Sequence, residues 1–524
     1  MPLKPLSALI LLIFSAFSAA HAEQVFRRGN IGEPDSLDPH MTTSGYAGNI
    51  IFDMFVGLTT LDPDINIIPG AAESWTVSPD GKTYTFKMRS GAVWSDGHPV
   101  TAGDFEYAFR RTLDPATASV AAPLLYMIED ARAVNTGQKP LEALGVTAVD
   151  DTTFVVKLNN PTPYFLELIA HRCFPVPRWA IEAHGREWTR PENIVVNGAF
   201  KLTEWLPQNR VTVARNPSFY DAENVKLDQV QTFITEDQGS AFKRYRADEL
   251  DMIANFPPSQ LDWIRENLPQ DLRMTQNLGL FYYTFNTSRP PFDDVRIRNA
   301  LAMTIDRDLI TERIMRGGEL PAYSIVPPGA RKGYEPPAPE WAAWPKDRRI
   351  AKAKELMAAA GYGPVNPLTF TFMYNADDIQ KRAALAAAQA WKAIGVNAEL
   401  LSTDLNNLNA TLRNGEYQAA RYQWFSEYSD PTSFLYLLES DSVGDNHSKY
   451  NNPEYDAVMA KVYGELDLDK RRELMREAEA IVLRNAPITP INFYVSKRLI
   501  KPYIKGIHNN PRGINLSRWV SVEK

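Results

Sequence analysis

Residues 368–401 read LTFTFMYNADDIQKRAALAAAQAWKAIGVNAELL. Leu368 to Tyr374 is rich in aromatic and β-branched types and predicts a strand. Asp378 to Ile394, alanine-rich and without glycine or proline, predicts a helix, which Gly395 closes. Val396 to Leu401 then predicts a second strand. The same grammar continues on both sides. Asp293-Asp294 predicts the cap of a helix running through Met315, with Gly317-Gly318 as its stop. Asp347 to Ala360 predicts another helix, stopped by Gly361, and a shorter one ends near Arg413. Repetition of helix, glycine stop and strand argues for an α/β domain with a mostly parallel or mixed sheet. The proline-rich stretch 327–345 reads as an ordered connection, since Tyr334, Trp341 and Trp344 are available for packing.

Upstream the chain is richer in strands. Gln24 to Arg28 predicts a short strand, and Ser36-Leu37-Asp38-Pro39 a turn and the start of a helix. Tyr84 to Met88, following the turn Ser78-Pro79-Asp80-Gly81-Lys82, reads as a hairpin arm. Thr101 reads as an N-cap with Asp104 reaching back to it, opening a helix through Arg111. With a strand at Thr153 to Leu158, a mixed α/β unit occupies roughly 55–180. Phe200 to Trp205, Val211 to Arg215 and Gln231 to Ile234 alternate well enough for an antiparallel sheet. Phe281 to Asn286 is an aromatic strand that suits either a ligand cleft or a core.

The first 22 residues have a different logic. One basic residue (Lys4), an uncharged run from Leu6 to Phe14 and Ala20-His21-Ala22 before Glu23 match a secretory signal with its cleavage site. The run is shorter than the ~20 apolar residues that cross a bilayer. A mature protein starting at Glu23 and working outside the cytoplasm is therefore expected. Of 524 residues, 44% are hydrophobic and 23% charged, as in an ordinary globular protein large enough for several compact units. The formal charge of −7, one unit more negative once Lys4 is lost, gives no reason to expect a nucleic-acid partner. The single cysteine, Cys173, rules out an intramolecular disulfide and reads as a buried filler.

Enzyme signatures are poorly represented. There is no GxSxG elbow, GxxxxGK loop, GxGxxG fingerprint after a strand or HExxH helix. His40, His98, His171, His184, His447 and His508 include no pair at the one-turn spacing of a metal helix, so structural or solvated roles are expected for them. A secreted, disulfide-free, multidomain α/β protein without a catalytic signature fits a capture protein whose two lobes enclose a solute.

Several motifs sharpen this reading. Ser36-Leu37-Asp38-Pro39-His40, Pro69-Gly70-Ala71-Ala72-Glu73-Ser74-Trp75 and the segment Trp94 to Phe105 (WSDGHPVTAGDF) are followed in order by Ile194 to Phe200 (IVVNGAF), Arg215-Asn216-Pro217, Phe292-Asp293-Asp294-Val295-Arg296 and Glu427 to Phe434 (EYSDPTSF). This series resembles the large extracytoplasmic solute-binding proteins of ABC importers, family 5, and most of all their periplasmic oligopeptide-binding branch. The resemblance implies a two-lobed periplasmic binding protein fold of the large three-domain type, with the ligand cleft between lobes. It implies a signal at 1–22, a discontinuous domain I from 23–46, 177–279 and 495–524, an extra domain II at 47–176 and an α/β domain III at 280–494. It further implies a monomer, not an enzyme and without metal or cofactor, that captures short oligopeptides with low sequence specificity for an inner-membrane permease and its ATPase. No cysteine follows the predicted cleavage site, so a lipid anchor there is not expected and a soluble periplasmic protein is.

The site residues come from the same resemblance. Glu427 occupies the place of the ligand-amine anchor, where aspartate is usual, and a hinge residue or an interdomain ion pair is its other reading. Arg421, six residues earlier, matches an arginine able to pair with a ligand carboxylate; Arg413 is a second candidate, or a helix-terminal charge. Glu33, beside Pro34, resembles the strand that pairs with ligand backbone. Tyr126, Asn255, Asn446 and Tyr494 match aromatic or polar cleft residues, and Trp424 a cover for the first side chain, with ordinary packing open for each. Leu405 lies near a place where tryptophan is common. Gly279 and Phe425 stand where some relatives carry a disulfide. Two other readings stay open: a non-peptide or specialised ligand in the same fold, such as an opine, a sugar conjugate, a murein peptide or a haem-like compound, and a receptor-presenting protein that feeds no importer.

Overall fold

The computed structural model describes residues 23–42, 44–442 and 444–524; the expected signal at 1–22 lies outside them. One large mixed sheet runs through the molecule. Its strand order is Val396–Thr403, Leu368–Asn375, Ala419–Phe425, Leu272–Phe285, Ile488–Ile500, Met252–Ile253, Val25–Asn30, Gln229–Ile234, Arg210–Arg215 and Phe200–Leu206. Leu368–Asn375 and Val396–Thr403 are parallel neighbours, joined by helix Asp378–Lys392. Asp377 caps that helix, and Gly395, the stop that the opening stretch predicts, follows it at φ 79°. At the other end Phe200–Leu206, Arg210–Arg215 and Gln229–Ile234 form the expected antiparallel set, and Val25–Asn30 adds to it in parallel.

Two long strands carry the sheet from one half to the other. Leu272–Phe285 and Ile488–Ile500 pair antiparallel, and their ladder is interrupted between Gln276 and Leu280. On one side of the break Leu499 and Ile500 reach Met252–Ile253; on the other, Gly279 to Phe285 pair with Ala419–Phe425. A broken ladder between two continuous stretches is a place where backbone bends at low cost. The tail returns to the early part of the chain: Ser517 N–H donates to the Asp53 carboxylate at 3.0 Å, and Arg28 Nη2 donates to the same carboxylate at 2.9 Å.

A separate four-stranded antiparallel sheet, Ala72–Val77, Thr83–Met88, Thr153–Lys157 and Val146–Asp150, builds the early unit. Helix Ala102–Leu113 lays Phe105 and Phe109 against Phe154 of this sheet. Asp104 accepts the Thr101 backbone N–H at 2.8 Å, the expected capping contact.

The aromatic strand is core on both faces. Phe281, Tyr283 and Phe285 pack with Phe292, Phe370, Phe372 and Trp391, while Leu280 and Tyr282 pack on the opposite side with Phe434 and Tyr455. Cys173 is buried, and burial pushes its thiol up to about 12, so it is an inert filler.

Two local expectations need correction. Ser36 to Pro39 opens no helix: the Asp38 carboxylate takes the His40 N–H and two donors of Arg111, and the first helix, Gly45–Met54, starts after its cap Ser44. The helix expected through Met315 stops at Thr304 and resumes as a π-wound segment, Leu309–Met315, ended by Arg316 in the left-handed region and not by Gly317-Gly318. Just after the break at 305–306, Arg307 is buried and donates to the carbonyls of Ala322 at 2.7 Å and Pro490 at 2.9 Å.

Two predictions arise here. A Cβ on Gly198 would lie 2.4 Å from the Met54 carbonyl carbon and 2.6 Å from the Phe55 nitrogen, both backbone atoms. Gly198→Ala is thus expected to cost about 2 kcal/mol, read as a lowered urea midpoint. Glu479 is fully buried, accepting from Ile325 and Val326 N–H groups and the Tyr334 hydroxyl, and burial pushes it up from 4.5 to about 7. The folded state then binds the proton more tightly than the unfolded one, so this group's contribution to stability falls as pH rises from about 4.5 through 7. Glu479→Gln should remove that part of the slope in denaturation curves taken across this window; an unchanged slope would contradict the assignment.

Candidate functional site

The segment after strand Ala419–Phe425 is built to hold one shape. The Glu427 N–H donates to Ser433 Oγ at 2.9 Å, and Trp424 Nε1 to the Ser433 carbonyl at 2.7 Å. Beneath it Asp430 is fully buried, gripped by two donors of Arg471 at 2.7 and 3.0 Å and by Arg331 at 2.8 Å. Thr432 Oγ1 donates to the same carboxylate. A paired and hydrogen-bonded charge of this kind fixes a loop by geometry.

That loop meets the early α/β unit at the seam between lobes. Tyr428 stacks on Tyr164 with ring centres 3.8 Å apart and planes 1° from parallel. Ser429 donates through its N–H and its hydroxyl to Glu167 Oε1, at 2.9 and 2.8 Å, and Arg512 from the tail donates to the same oxygen at 2.7 Å. His171 Nε2 lies 2.9 Å from the Glu427 carbonyl. Burial, with the charges of Arg512 and Arg172 adding to it, holds His171 well below its ordinary value, so the ring is neutral. The Glu427 carboxylate itself pairs with Arg172 through Oε2 at 2.8 Å. Its interdomain ion-pair reading is thus realised in this structure.

Arg421 lies six residues back, on the strand. It is 3% exposed, and burial lowers its pKa from the ordinary value. It forms no ion pair among the described residues; one Nη donates to Gln423 Oε1 at 2.9 Å, while Nε is enclosed without a partner. The Tyr494 hydroxyl donates to the same Gln423 oxygen at 2.8 Å, and the guanidinium stands 5.1 Å from the Phe281 ring centre. A buried guanidinium without a carboxylate is costly, and an incoming anion relieves that cost. At the far end of this strand Phe425 faces Gly279 directly across the ladder; a Cβ there would lie 2.6 Å from Phe425, and its absence lets the Phe425 and Tyr494 rings approach to 4.9 Å. The two positions where some relatives were expected to carry a disulfide are therefore adjacent in space.

The remaining expected residues are distributed more widely. Arg413 is exposed in the last turn of helix Leu405–Asn414, its carbonyl accepting from Lys449 at 2.8 Å. Asn446 is buried and organises its own loop through the carbonyls of Glu439 and Tyr450 and the Ser448 hydroxyl. The Glu33 carboxylate accepts from Trp205 Nε1 at 2.8 Å and Gln208 N–H at 2.9 Å. Tyr126 donates to Asn135, and the Asn255 side chain accepts from the Phe256 N–H. The structure thus gathers Arg421, Tyr494, Trp424 and Glu427 along one strand and its neighbourhood, while Glu33, Tyr126, Asn255 and Asn446 make local contacts. Arg172, Glu167, Arg512 and Gln423 were not legible as site residues, because only the fold brings them to the seam or the buried arginine.

Residues 66–446 match the family described as bacterial extracellular solute-binding proteins, family 5 Middle. The chain belongs to this family. Among curated members, it is 38% identical over 489 residues to the periplasmic oligopeptide-binding protein OppA of Salmonella typhimurium, covering 92% of this chain and 90% of that one. It is 37% identical over 493 residues to the probable deoxycholate-binding periplasmic protein YgiS of Escherichia coli, covering 93% and 91%. A crystal structure of Haemophilus influenzae OppA in complex with RPPGFSPFR superposes with a TM-score of 0.84 at 35% identity, covering 96% of this chain and 100% of the other. The two-lobed architecture of such solute-binding proteins is the architecture seen here. Among the described residues no helix is long and apolar enough to cross a membrane.

Proposed function

We propose that this protein is the periplasmic solute-binding component of an ABC importer, capturing short oligopeptides between its lobes and presenting the closed form to a permease driven by its ATPase. Arg421 is the observation that carries this reading: a buried cation in no ion pair among the described residues, on the same strand that leads to the carboxylate of Glu427. Six residues of extended chain span about 20 Å, and the side chains shorten that distance from both ends. Two opposite charges so spaced suit the two termini of a peptide of a few residues. Backbone groups are common to all peptides, so anchoring at the termini gives low sequence specificity. The protein makes and breaks no bond and acts as a monomer.

In this reading the lobes are domains I and II (23–46, 177–279 and 495–524, with 47–176) against domain III (280–494). They close by bending at the interrupted ladder of Leu272–Phe285 and Ile488–Ile500. Trp424, Tyr494 and Arg413 line the side of domain III, and Glu33, Tyr126, Asn255 and Asn446 contact the ligand less directly. Calorimetric titration with a tripeptide and its C-terminal amide tests the Arg421 end. The amide is expected to bind at least tenfold more weakly, and Arg421→Met should abolish that difference; equal affinities in the unaltered protein would refute the role. A second reading, a specialised non-peptide ligand, is favoured by the occupation of Glu427 by Arg172. Binding of a ligand without a free amine, unaffected by Arg421→Met, would support it instead.

A further inference from the structure

Arg172 is the C-cap of helix Phe165–His171 and reaches across the seam to one oxygen of Glu427, Oε2, at 2.8 Å. The two side chains are 35% and 26% exposed, so the pair is accessible to solvent and to a solute. Glu167, the neighbouring carboxylate, is already engaged by Arg512 and Ser429. Glu427 is therefore the ion-pair partner of Arg172, whose Nε is enclosed without any partner among the described residues.

Resting on the reading of Glu427 as the amine anchor, we propose that Arg172 is a second anchor of the same subsite and selects peptides whose first residue is Asp or Glu. A ligand ammonium that takes the other oxygen of Glu427 must share that single carboxylate with Arg172, which leaves two cations side by side on one counter-ion. At a partly buried site that arrangement is repulsive. A ligand that brings a carboxylate a few bonds from its amine exchanges the one resident pair for two new ones, and every charge keeps a partner. The planar guanidinium fork, whose side chain is 35% exposed, suits that carboxylate. Selection then comes from a penalty on neutral first residues as much as from attraction to acidic ones.

Calorimetric titration of the purified protein and of Arg172→Met with Glu-Ala-Ala, Gln-Ala-Ala and the N-acetylated form of each tests this. The unaltered protein is expected to bind Glu-Ala-Ala at least tenfold more tightly than Gln-Ala-Ala, and the ratio should fall to about one or invert in Arg172→Met. Comparing two ligands on one protein cancels any uniform effect of the substitution on lobe closure or folding. A ratio near one in the unaltered protein, or a ratio retained in Arg172→Met, overturns the role of Arg172 while leaving the amine anchor standing. If N-acetylation changes neither affinity, or if no peptide binds, the anchor reading itself fails and takes this inference with it.

Discussion

Asp430→Asn is expected to destabilise the protein by about 3–5 kcal/mol, the cost of leaving buried charge without its partner. The carboxylate is fully buried, and the side chain of Arg471, which grips it with two donors, is 2% exposed. Arg331 holds it from a second direction. Removing the negative charge strands the Arg471 guanidinium in a place where water cannot replace the lost partner, whereas the Arg331 side chain is 20% exposed and keeps some access to solvent. Burial opposes ionisation of Asp430, but Arg471 and then Arg331 outweigh it and hold the carboxyl below its ordinary value of 3.8. Its stabilisation is thus present above that pH and is lost as the pH falls further. Urea or thermal denaturation of the two proteins at neutral pH measures the effect, and a change below 1 kcal/mol would contradict it. Because Asp430 also fixes the loop carrying Glu427, the variant should bind ligand more weakly even where it remains folded.

Glu427→Gln is expected to weaken binding of free-amine peptides about 100-fold, within the range found when one partner of a hydrogen-bonded charge pair is removed. The same variant should bind N-acetylated peptides with nearly unchanged affinity. Glu427→Gln also breaks the seam contact with Arg172, so the ratio between the two ligands carries the information, not either affinity alone. Equal losses for both ligands would assign Glu427 to lobe closure and remove it as an amine anchor.

Most of the secondary structure is legible from local grammar, because its signals are local. Asp377, Asp294 and Thr101 start helices where side-chain chemistry says they should, and Gly395 follows one at a φ that other residues rarely adopt. The misreading at 305–316 falls beside Arg307, whose guanidinium donates to the carbonyls of Ala322 and Pro490 as well as to those of Ala302 and Ile305, and no local pattern announces those contacts. The return of the tail to Asp53 is equally invisible, since Ser517 and Asp53 are brought together only by the completed fold.

The candidate site was legible in part, through the resemblance, at positions on the strand Ala419–Phe425 and the loop beyond it. What was not legible is the seam. No motif marks Arg172, yet it pairs with the residue that the resemblance makes the amine anchor. His171, expected to be structural or solvated, is a neutral ring buried between the lobes. Glu33 and Asn446 show the converse: polar residues whose side chains already accept or donate within their own lobes.

Native mass spectrometry of the secreted protein, followed by denaturing release and sequencing of what it carries, tests the central claim most directly. Capture of short peptides through their termini predicts a ladder of adducts that resolve into unrelated sequences a few residues long. One recurrent non-peptide mass would contradict it and make the Arg172–Glu427 pair the place to explain a specialised ligand.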